Sequence, residues 1–379
     1  MDFSLSDEHL ALRDAVRRFC DGEYPAHRRG EAEPAGLAAT RWAGMADLGL
    51  LGLPLADDVG GSAQGPVEMM LVAQELGRAL GGAGWLSSVV LAGQLLDESG
   101  SQAQRQRWLP ALAAGKARMT LACSEADARY DLSRVATLAR REGAGWVLDG
   151  TKTLVLEAGS ADVFLVVART AGDADDDSDD DSGLSLFLVE AGASGLSLKE
   201  FSTLDGRRAA HLTLRGVRVA ADALVGEAGA ALPLVEAATD RASAMLCAEA
   251  VGALEVLIDL TAEQLKTRKQ FGTTLAKFQV LQHRIADMLI ALEQCKSMAC
   301  AAAVAVLEGE PAQRRRLVSA AKVLAGQAGR QLGQWAIQMH GAMGMTDECR
   351  VGHYAKRLMV INQLFGDVSH HLRRFGGQA

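Results

Sequence analysis

The spacing of apolar residues changes twice along this chain of 379 residues, and that change limits the folds it can adopt. Residues 1–120 are typical of helices, broken by glycine pairs at 60–61 and 81–82. Residues 121–228 switch to short runs that suit strands, and residues 229–379 return to helical spacing. This length suits two or three domains. We therefore predict an α+β protein with an N-terminal helical domain, a middle β domain and a C-terminal four-helix bundle.

The middle region contains several short runs with strand character. They are bounded by glycines and have either alternating polarity or an apolar centre. The runs are 146–149, 162–168, 184–190 and 211–215. They predict an antiparallel sandwich or a barrel-like domain.

The C-terminal region contains a helix with one apolar face. Its apolar residues step by three and four, which places them on one side of a helix. They are Phe278, Leu281, Ile285, Met288, Leu292 and Cys295. The mostly apolar continuation to Leu307 predicts burial on several sides, as in a helical bundle.

Charge and composition exclude several classes of protein. Seven aspartates between Asp173 and Asp181 account for most of the net charge of −8, and we predict that they form a surface loop between two strands. Without a basic tract, nucleic-acid binding is not expected. The six cysteines include no CxxC pair, no signal peptide is expected, and the apolar stretch 297–307 is short for a membrane span. We therefore expect a cytoplasmic protein without a membrane span.

Two motifs in the C-terminal region suit a nucleotide. The first is Arg268–Gly272 (RKQFG), followed by Phe278-Gln279, and the second is Gln338–Met345 (QMHGAMGM). Arginine offers a fork of donors to phosphate, and glycine lets backbone N–H groups approach an anion. Each motif alone is weak, since a lone arginine is usually a surface residue and a glycine after a helix is usually a cap.

In this order and spacing the two motifs resemble those of the acyl-CoA dehydrogenase family, and the three-domain pattern resembles the same family over the whole chain. The resemblance implies a tetramer that uses FAD and an acyl-CoA substrate, in which both motifs reach the FAD of a neighbouring subunit. The positions that match the family's nucleotide contacts are Arg268, Gln270, Phe271, Gln338, Gly341 and Ala342.

Three further segments resemble one branch of that family, the small subunits of bacterial two-component enzymes such as pimeloyl-CoA dehydrogenase. They are Thr267–Met288, Val351–Arg357 and Leu364–Asp367. In that branch a larger homologous chain completes the enzyme, and partners in steroid side-chain breakdown are similar. The resemblance also implies that an electron-transfer flavoprotein accepts the electrons.

The family needs a carboxylate to remove the α-proton of the acyl-CoA, because that proton is a weak acid. The family's glutamate occupies one of two positions, which correspond here to Phe365 and Ala242. Neither is acidic. Asp240 is the nearby substitute, but two residues turn a helix by about 200°, so it would face elsewhere. We expect Asp240 to cap or begin a helix, and keep its role as base as an alternative.

The flavin-contacting segments of the family are also changed. The loop Ser124–Asp131 has Arg129 and Tyr130 where the family has glycine and serine. The next segment has Leu154 and Leu156 where the family has tryptophan and threonine, and a leucine cannot donate a hydrogen bond to the flavin ring.

Together these changes predict that the chain's own flavin pocket is closed or unused. Our main hypothesis is a supporting subunit that holds the ADP end of an FAD whose ring lies in a catalytic partner. The alternatives are a homo-oligomeric dehydrogenase that uses Asp240, and an assembly protein without flavin. No metal site is expected, because His370 and His371 are adjacent, face different directions and have no third ligand nearby. We expect both histidines to face solvent.

Overall fold

The N-terminal part of the chain is helical. The computed structural model describes residues 5–25, 35–171, 183–307 and 310–377. Ser6 and Ser101 are each the N-cap residue of a helix, and each forms a capping box with the residue three positions later. These reciprocal hydrogen bonds satisfy free N–H groups at the start of the helix. The helices are α1 Asp7–Glu23, α2 Ala35–Asp47, α3 Pro66–Ala79, a π-helical segment Trp85–Gly93, α4 Gln94–Ser99 and α5 Gln102–Ala113.

The middle part forms an eight-stranded sheet in the order β6-β7-β3-β2-β4-β5-β8, with β1 also paired to β4. The strands are β1 Met119–Ala122, β2 Leu138–Glu142, β3 Gly145–Leu156, β4 Val163–Arg169, β5 Leu184–Glu190, β6 Leu196–Ser202, β7 Arg208–Val219 and β8 Leu224–Val225. All four strand runs expected from the sequence are present. Most of the pairings are antiparallel, as expected, but β4 pairs in parallel with both β1 and β2.

The C-terminal part is a bundle of the four long helices α6–α9, with the short helix α10 against α8. α6 is 37 residues long and packs against α7, α8, α9 and also α3 of the N-terminal part. Its composition, rich in alanine and leucine, suits a helix buried along most of its length. The helices are α6 Ala231–Thr267, α7 Gln279–Leu307, α8 Pro311–His340, α9 Arg350–Gln363 and α10 Val368–Phe375, and a small hairpin, β9 Lys269–Gln270 with β10 Thr273–Thr274, follows α6.

Two glycines let α3 and α6 approach closely. A Cβ atom added at Gly77 would lie 2.1 Å from the Glu249 carbonyl oxygen, and one added at Gly252 would lie 1.9 Å from that of Gln74. Both distances are far below contact distance, so each helix needs a glycine where it meets the other. The N-terminal and C-terminal helical parts are therefore packed backbone to backbone.

α7 is long and apolar enough to cross a membrane by length and composition alone. It packs against α6 and α8 as a member of the bundle, and Met288, Leu292 and Cys295 on the expected apolar face are buried. Its outer side exposes other apolar side chains, including Val280 and Ile290. The aspartate run 173–181 lies outside the described residues.

Candidate functional site

A cleft of about 1020 Å³ lies where the sheet meets the C-terminal helices. Its walls come from the loop 124–133, the end of β3, the first turns of α6, and the segment from Gln363 to Arg374. Every segment in which the sequence departs from the family pattern contributes to these walls. We expected this pocket to be closed or unused; the cleft is open, so it is not closed, and that it is unused stays a prediction.

Glu125 fixes the loop that forms one wall. Its Oε1 accepts hydrogen bonds from Lys152 Nζ at 2.6 Å and Thr137 Oγ1 at 2.6 Å, and its Oε2 accepts one from the Ala136 N–H. Burial opposes the charge on Glu125, but Lys152 and these hydrogen bonds lower the pKa of the carboxyl. Burial lowers the pKa of the fully buried Lys152, although the charge of Glu125 opposes that shift. Glu125 therefore anchors the loop and is not free for proton transfer.

Arg129 and Tyr130 both line the cleft from the same loop, and Tyr130 reaches across it. Arg129 has φ 53°, so it keeps the left-handed conformation that a glycine adopts readily. The Tyr130 hydroxyl donates to Gln363 Oε1 at 3.0 Å, and its ring lies 5.3 Å from that of His370. The loop is thus joined to α9 and α10 on the opposite wall.

β3 places two leucines in the cleft. Leu154 has φ 51° and is 39% exposed, and Leu156 is half-buried. Neither side chain carries a donor, so this wall offers a flavin ring no side-chain hydrogen bond at these two positions.

The turn between α9 and α10 carries Phe365 at one of the family's two base positions. Phe365 is also left-handed, with φ 55°, and Gly366 follows it with φ 117°. A Cβ atom at Gly366 would lie 2.7 Å from His371 Nε2, so only glycine fits beside that ring. Phe365 therefore lies in a tight turn, and its apolar side chain cannot accept a proton.

Two buried polar side chains hold this turn from below. Lys322 Nζ donates to the carbonyl oxygens of Ile361 at 2.6 Å and Leu364 at 2.8 Å, which satisfies free acceptors near the end of α9. Burial lowers the pKa of Lys322 to about 8. The single lysine within the small apolar run 320–325 is the sequence signal that could have identified it.

His371 supports the turn from the same side. The expectation that His370 and His371 face solvent is wrong for His371, which is 1% exposed because α10 packs on α8. Its Nε2 lies 3.1 Å from the Phe365 carbonyl, which only accepts, so Nε2 carries the proton and Nδ1 accepts from Ser319 Oγ at 3.2 Å. Burial, together with the charge of Lys322, lowers the pKa of His371 to about 2.

Asp240 lines the cleft but is fully engaged. Its Oδ2 accepts from Arg314 Nε at 3.1 Å and its Oδ1 from Arg374 Nη1 at 2.6 Å. The expectation that Asp240 caps or begins a helix is wrong, because α6 starts at Ala231 and Asp240 lies buried in its third turn. Ala242 at the other base position is buried and apolar.

The remaining cleft carboxylates are also paired. Glu236 accepts from Arg315, Asp131 accepts from Ser133, and Asp367 caps α10 through the His370 N–H. With Glu125 and Asp240, all five carboxylates that line the cleft in the described part of the chain have a hydrogen-bond partner. Glu125 and Asp240 accept hydrogen bonds at both carboxylate oxygens, whereas Asp131, Glu236 and Asp367 each accept at one.

The first nucleotide motif forms an exposed hairpin. Gln270 pairs with Thr273, and the two residues between them, Phe271 and Gly272, both have positive φ, as a type I′ turn requires. Phe271 is 87% exposed and contacts Phe278 edge to face. The guanidinium of Arg268 has no hydrogen-bond or ion-pair partner among the described residues.

The second motif lies at the end of α8. Gln338 is exposed in the last turn, and Gly341 ends the helix with φ 68°. Ala342 follows in a short 3₁₀ turn and is also exposed. None of the six residues that match the family's nucleotide contacts lines the cleft of this chain.

Comparison with known proteins accounts for nearly the whole chain. Family models match residues 6–116 as the acyl-CoA dehydrogenase N-terminal domain, 120–217 as the middle domain and 232–374 as the C-terminal domain. The chain belongs to the acyl-CoA dehydrogenase family. It is therefore a member of a family of flavin-dependent CH–CH oxidoreductases, and FAD is the cofactor that this membership implies.

Three relatives illustrate the range of similarity. The acyl-CoA dehydrogenase FadE12 of Mycobacterium tuberculosis is 30% identical over 351 residues, which covers 91% of this chain and 89% of FadE12. A chain of the ChsE4-ChsE5 complex of Mycobacterium tuberculosis is 28% identical with a TM-score of 0.86, covering 100% and 98% of the two chains. A chain of the Tcur3481-Tcur3483 steroid ACAD, solved as a variant, is 28% identical with a TM-score of 0.86, covering 99% and 98%.

The residues of this chain fit one end of FAD better than the other. The exposed Arg268, Gln270 and Gln338 offer side-chain donors suited to the phosphates and adenosine of the nucleotide. The side chains of Leu154 and Leu156 offer the ring no hydrogen bond. When bound, FAD supplies the hydride acceptor of the family's reaction. Among the described residues no three His, Cys, Asp or Glu side chains come together as metal ligands.

Proposed function

We propose that this chain is the supporting small subunit of a two-chain acyl-CoA dehydrogenase. It binds the ADP end of an FAD through Arg268, Gln270, Phe271, Gln338, Gly341 and Ala342. The reactive ring of that FAD lies in a larger homologous chain, which also supplies the catalytic base.

The apolar residues at the family's two base positions carry this proposal. Removal of the α-proton requires a carboxylate placed beside the substrate carbon. The family's base positions hold Phe365 and Ala242, and Asp240 is held by Arg314 and Arg374. An autonomous enzyme that uses Asp240 would have to break a buried ion pair before each turnover, which makes that alternative the weaker one.

The position of the nucleotide residues supports a role towards another chain. They are exposed and lie outside this chain's cleft, so the nucleotide that they suit is not one held in that cleft. An assembly protein without flavin has no need for donors in this arrangement. The apolar side chains exposed nearby, such as Phe271 and Met345, also suit a surface that a second subunit covers.

Two of the similar structures support the heteromeric form and the substrate class. One is a ChsE4-ChsE5 complex and the other is a Tcur3481-Tcur3483 steroid ACAD. By analogy we propose that the complete enzyme introduces an α,β double bond into a bulky or long acyl-CoA. Electrons would then pass to an electron-transfer flavoprotein.

Co-expression with a larger homologous chain tests the proposal. We expect this chain to be colourless when purified alone, and the co-purified complex to contain flavin and to oxidise acyl-CoA. A yellow, active chain purified alone would show an autonomous enzyme. A chain that stays colourless in every combination would leave only the assembly role.

Variants of the residues proposed to bind FAD test whether this chain contributes to FAD binding in the complex. Substituting Arg268→Ala and Gln338→Ala in the complex should weaken FAD retention by about ten- to a hundredfold, since a hydrogen bond to a charged group contributes about 1.5–3 kcal/mol. Arg107→Ala is the matched control, because Arg107 is an exposed arginine on α5 paired with Glu190. Equal flavin content in all three complexes would exclude the proposed contacts.

A further inference from the structure

One side chain ties the loop 124–133 to the opposite wall of the cleft. The Tyr130 hydroxyl donates to Gln363 Oε1 at 3.0 Å, and the Tyr130 ring lies 5.3 Å from the ring of His370. Among the described residues, no other hydrogen bond joins the segment 126–132 to a residue outside the loop. Tyr130 is therefore the polar tie between this segment and the C-terminal helices.

Both ends of the loop are fixed to the sheet. At the first end, the Ser124 carbonyl accepts from the Thr153 N–H at 2.8 Å. At the other end, the Ser133 carbonyl accepts from Arg169 Nη2 at 2.8 Å. The segment 126–132 lies between these anchors, so its middle can move while its ends stay in place.

The opposite wall is held more firmly than the loop. Gln363 is the last residue of α9, and the carbonyls of its neighbours Ile361 and Leu364 accept from the buried Lys322. The His370 N–H donates to the N-cap carboxylate of α10 at 2.8 Å. We therefore expect the loop to be the moving side and the two helices the fixed side.

Opposing contributions act on the closed position of the loop. Burial and the charge of Asp367 raise the pKa of Tyr130, so its hydroxyl keeps the proton that it donates. One such hydrogen bond favours the closed position by about two- to tenfold, and the ring contact adds a similar factor. The left-handed Arg129 opposes it by about five- to thirtyfold. The balance is small enough for a single contact to decide it.

We propose that Tyr130 is a releasable latch across the cleft, which closes the segment 126–132 onto Gln363 and His370 and opens when these contacts break. The width of the cleft at the loop then follows the state of the latch. The buried pair of Arg357 with Asp205 joins α9 to the sheet elsewhere and stays closed, because separation would leave both charges buried without a partner. The latch does not depend on which chain holds the flavin ring.

Hydrogen exchange of backbone amides in the full chain tests the latch. Peptides that cover 126–132 are followed by mass spectrometry and corrected for the intrinsic rate of each sequence. Tyr130→Phe removes the hydroxyl and keeps the ring, so exchange there should become about two- to tenfold faster. Tyr130→Ala also removes the ring contact and should add a similar factor. Arg129→Gly relieves the strain of the closed position and should slow exchange by about two- to fivefold.

Two further variants separate the latch from a general effect. Gln363→Leu removes the acceptor and should match Tyr130→Phe, and the double variant should exchange no faster than either single variant, because both remove the same bond. Tyr354→Phe is the matched control. Its hydroxyl donates to the Arg78 carbonyl, and neither residue lines the cleft, so loop exchange should not change.

Thiol labelling measures access to the cleft itself. Ser243 lines the cleft and is 2% exposed, so Ser243→Cys places a thiol on its inner wall. N-ethylmaleimide should label this position at least about twofold faster when Tyr130→Ala is added. The native Cys295 is buried outside the cleft and should be labelled equally in both proteins.

The expected result is faster exchange confined to 126–132. Unchanged exchange in both Tyr130→Phe and Tyr130→Ala would overturn the latch, because other contacts would then hold the loop. Faster exchange at 364–372 instead would mean that the helices move, and equal acceleration across the bundle would mean a general loss of stability; either would overturn the proposal. Equal labelling at position 243 would show that the latch does not control access. Flavin content and turnover test the supporting role separately.

Discussion

Asp240 has a structural role, because its carboxylate holds three helices together. It joins α6 to α8 through Arg314 and to α10 through Arg374, and its side chain is 3% exposed. A carboxylate with both oxygens bound to guanidinium groups is an acceptor already in use. Its position beside the cleft therefore does not make it a base.

Asp240→Asn separates these roles. Removing the negative charge leaves two largely buried arginines without their partner, so we expect the free energy of unfolding to fall by about 3 kcal/mol. Activity of the folded complex should stay within about twofold of the unaltered enzyme. Urea unfolding and steady-state turnover measure the two effects. Lost turnover with unchanged stability would identify Asp240 as the base.

Arg129 adopts the left-handed backbone conformation that glycine adopts more readily. An L-residue in the left-handed region carries about 1–2 kcal/mol of strain, and the Tyr130 contacts with α9 and α10 hold the loop there. Arg129→Gly should therefore raise the free energy of unfolding by about 0.5–1 kcal/mol after the greater flexibility of glycine is counted.

The same substitution in a strand is the control. Arg140 lies in β2, where glycine has no conformational advantage, and Arg140→Gly should lower the free energy of unfolding by about 1 kcal/mol. If both variants lose stability equally in urea unfolding, the strain at Arg129 is not real.

Sequence alone could not reveal the state of individual side chains in this site. The loss of an acidic residue at 365 and 242 is visible from the motifs, as are the changes at 129 and 154. The engagement of Asp240 is not, because its partners lie 74 and 134 residues away along the chain. The burial of His371 depends on the packing of α10 on α8, which no local pattern predicts.

At the scale of elements, the turn between α9 and α10 is held by buried groups on neighbouring helices. Lys322 from α8 binds the last carbonyls of α9, and His371 from α10 binds the Phe365 carbonyl. His371 is neutral in the folded protein, because burial and the charge of Lys322 lower its pKa to about 2 from the usual 6.5. Protonation would cost His371 its bond from Ser319.

The sign of the pH dependence follows from that lowered pKa. Below pH 6.5 the unfolded chain takes up a proton at His371 that the folded chain does not, so stability is lost as the pH falls. We expect a loss of about 1.4 kcal/mol per pH unit from this group, or about 2 kcal/mol at pH 5. His371→Gln should remove this contribution, whereas the control His353→Gln should keep it. Identical pH profiles for His371→Gln and the unaltered chain would contradict the argument.

Predictability from sequence also differs between elements. β4 and β5 were evident because they are apolar runs bounded by turns, and the helix face from 278 to 295 was evident from its spacing. β2 was missed because its sequence, LARRE, is mostly charged and exposed, and it joins the sheet only through its neighbours. The parallel pairing of β1 and β2 with β4 depends on tertiary contacts that periodicity does not encode.

At the scale of the whole molecule, one buried ion-pair cluster joins all three parts of the chain. Glu249 on α6 accepts hydrogen bonds from Arg357 on α9 and from Arg207, which directly precedes β7. Arg207 also donates to the Gly81 carbonyl of the N-terminal part, and Asp205 binds Arg357. Burial opposes the charges on Glu249 and Asp205, but the two arginines lower the pKa of both carboxyls.

Breaking this cluster should therefore lower the stability of the chain and let its three parts unfold separately. Glu249→Gln leaves Arg357 and Arg207 without one of their carboxylates, and we expect a loss of about 3–5 kcal/mol in the free energy of unfolding. The loss falls on contacts between the parts, so differential scanning calorimetry should show one transition in the unaltered chain and two in the variant. Glu200→Gln is the control, since its pair with Arg208 is exposed and is worth at most about 1 kcal/mol. A single transition at the original temperature in Glu249→Gln would mean that apolar packing of α3 against α6 holds the domains together without the cluster.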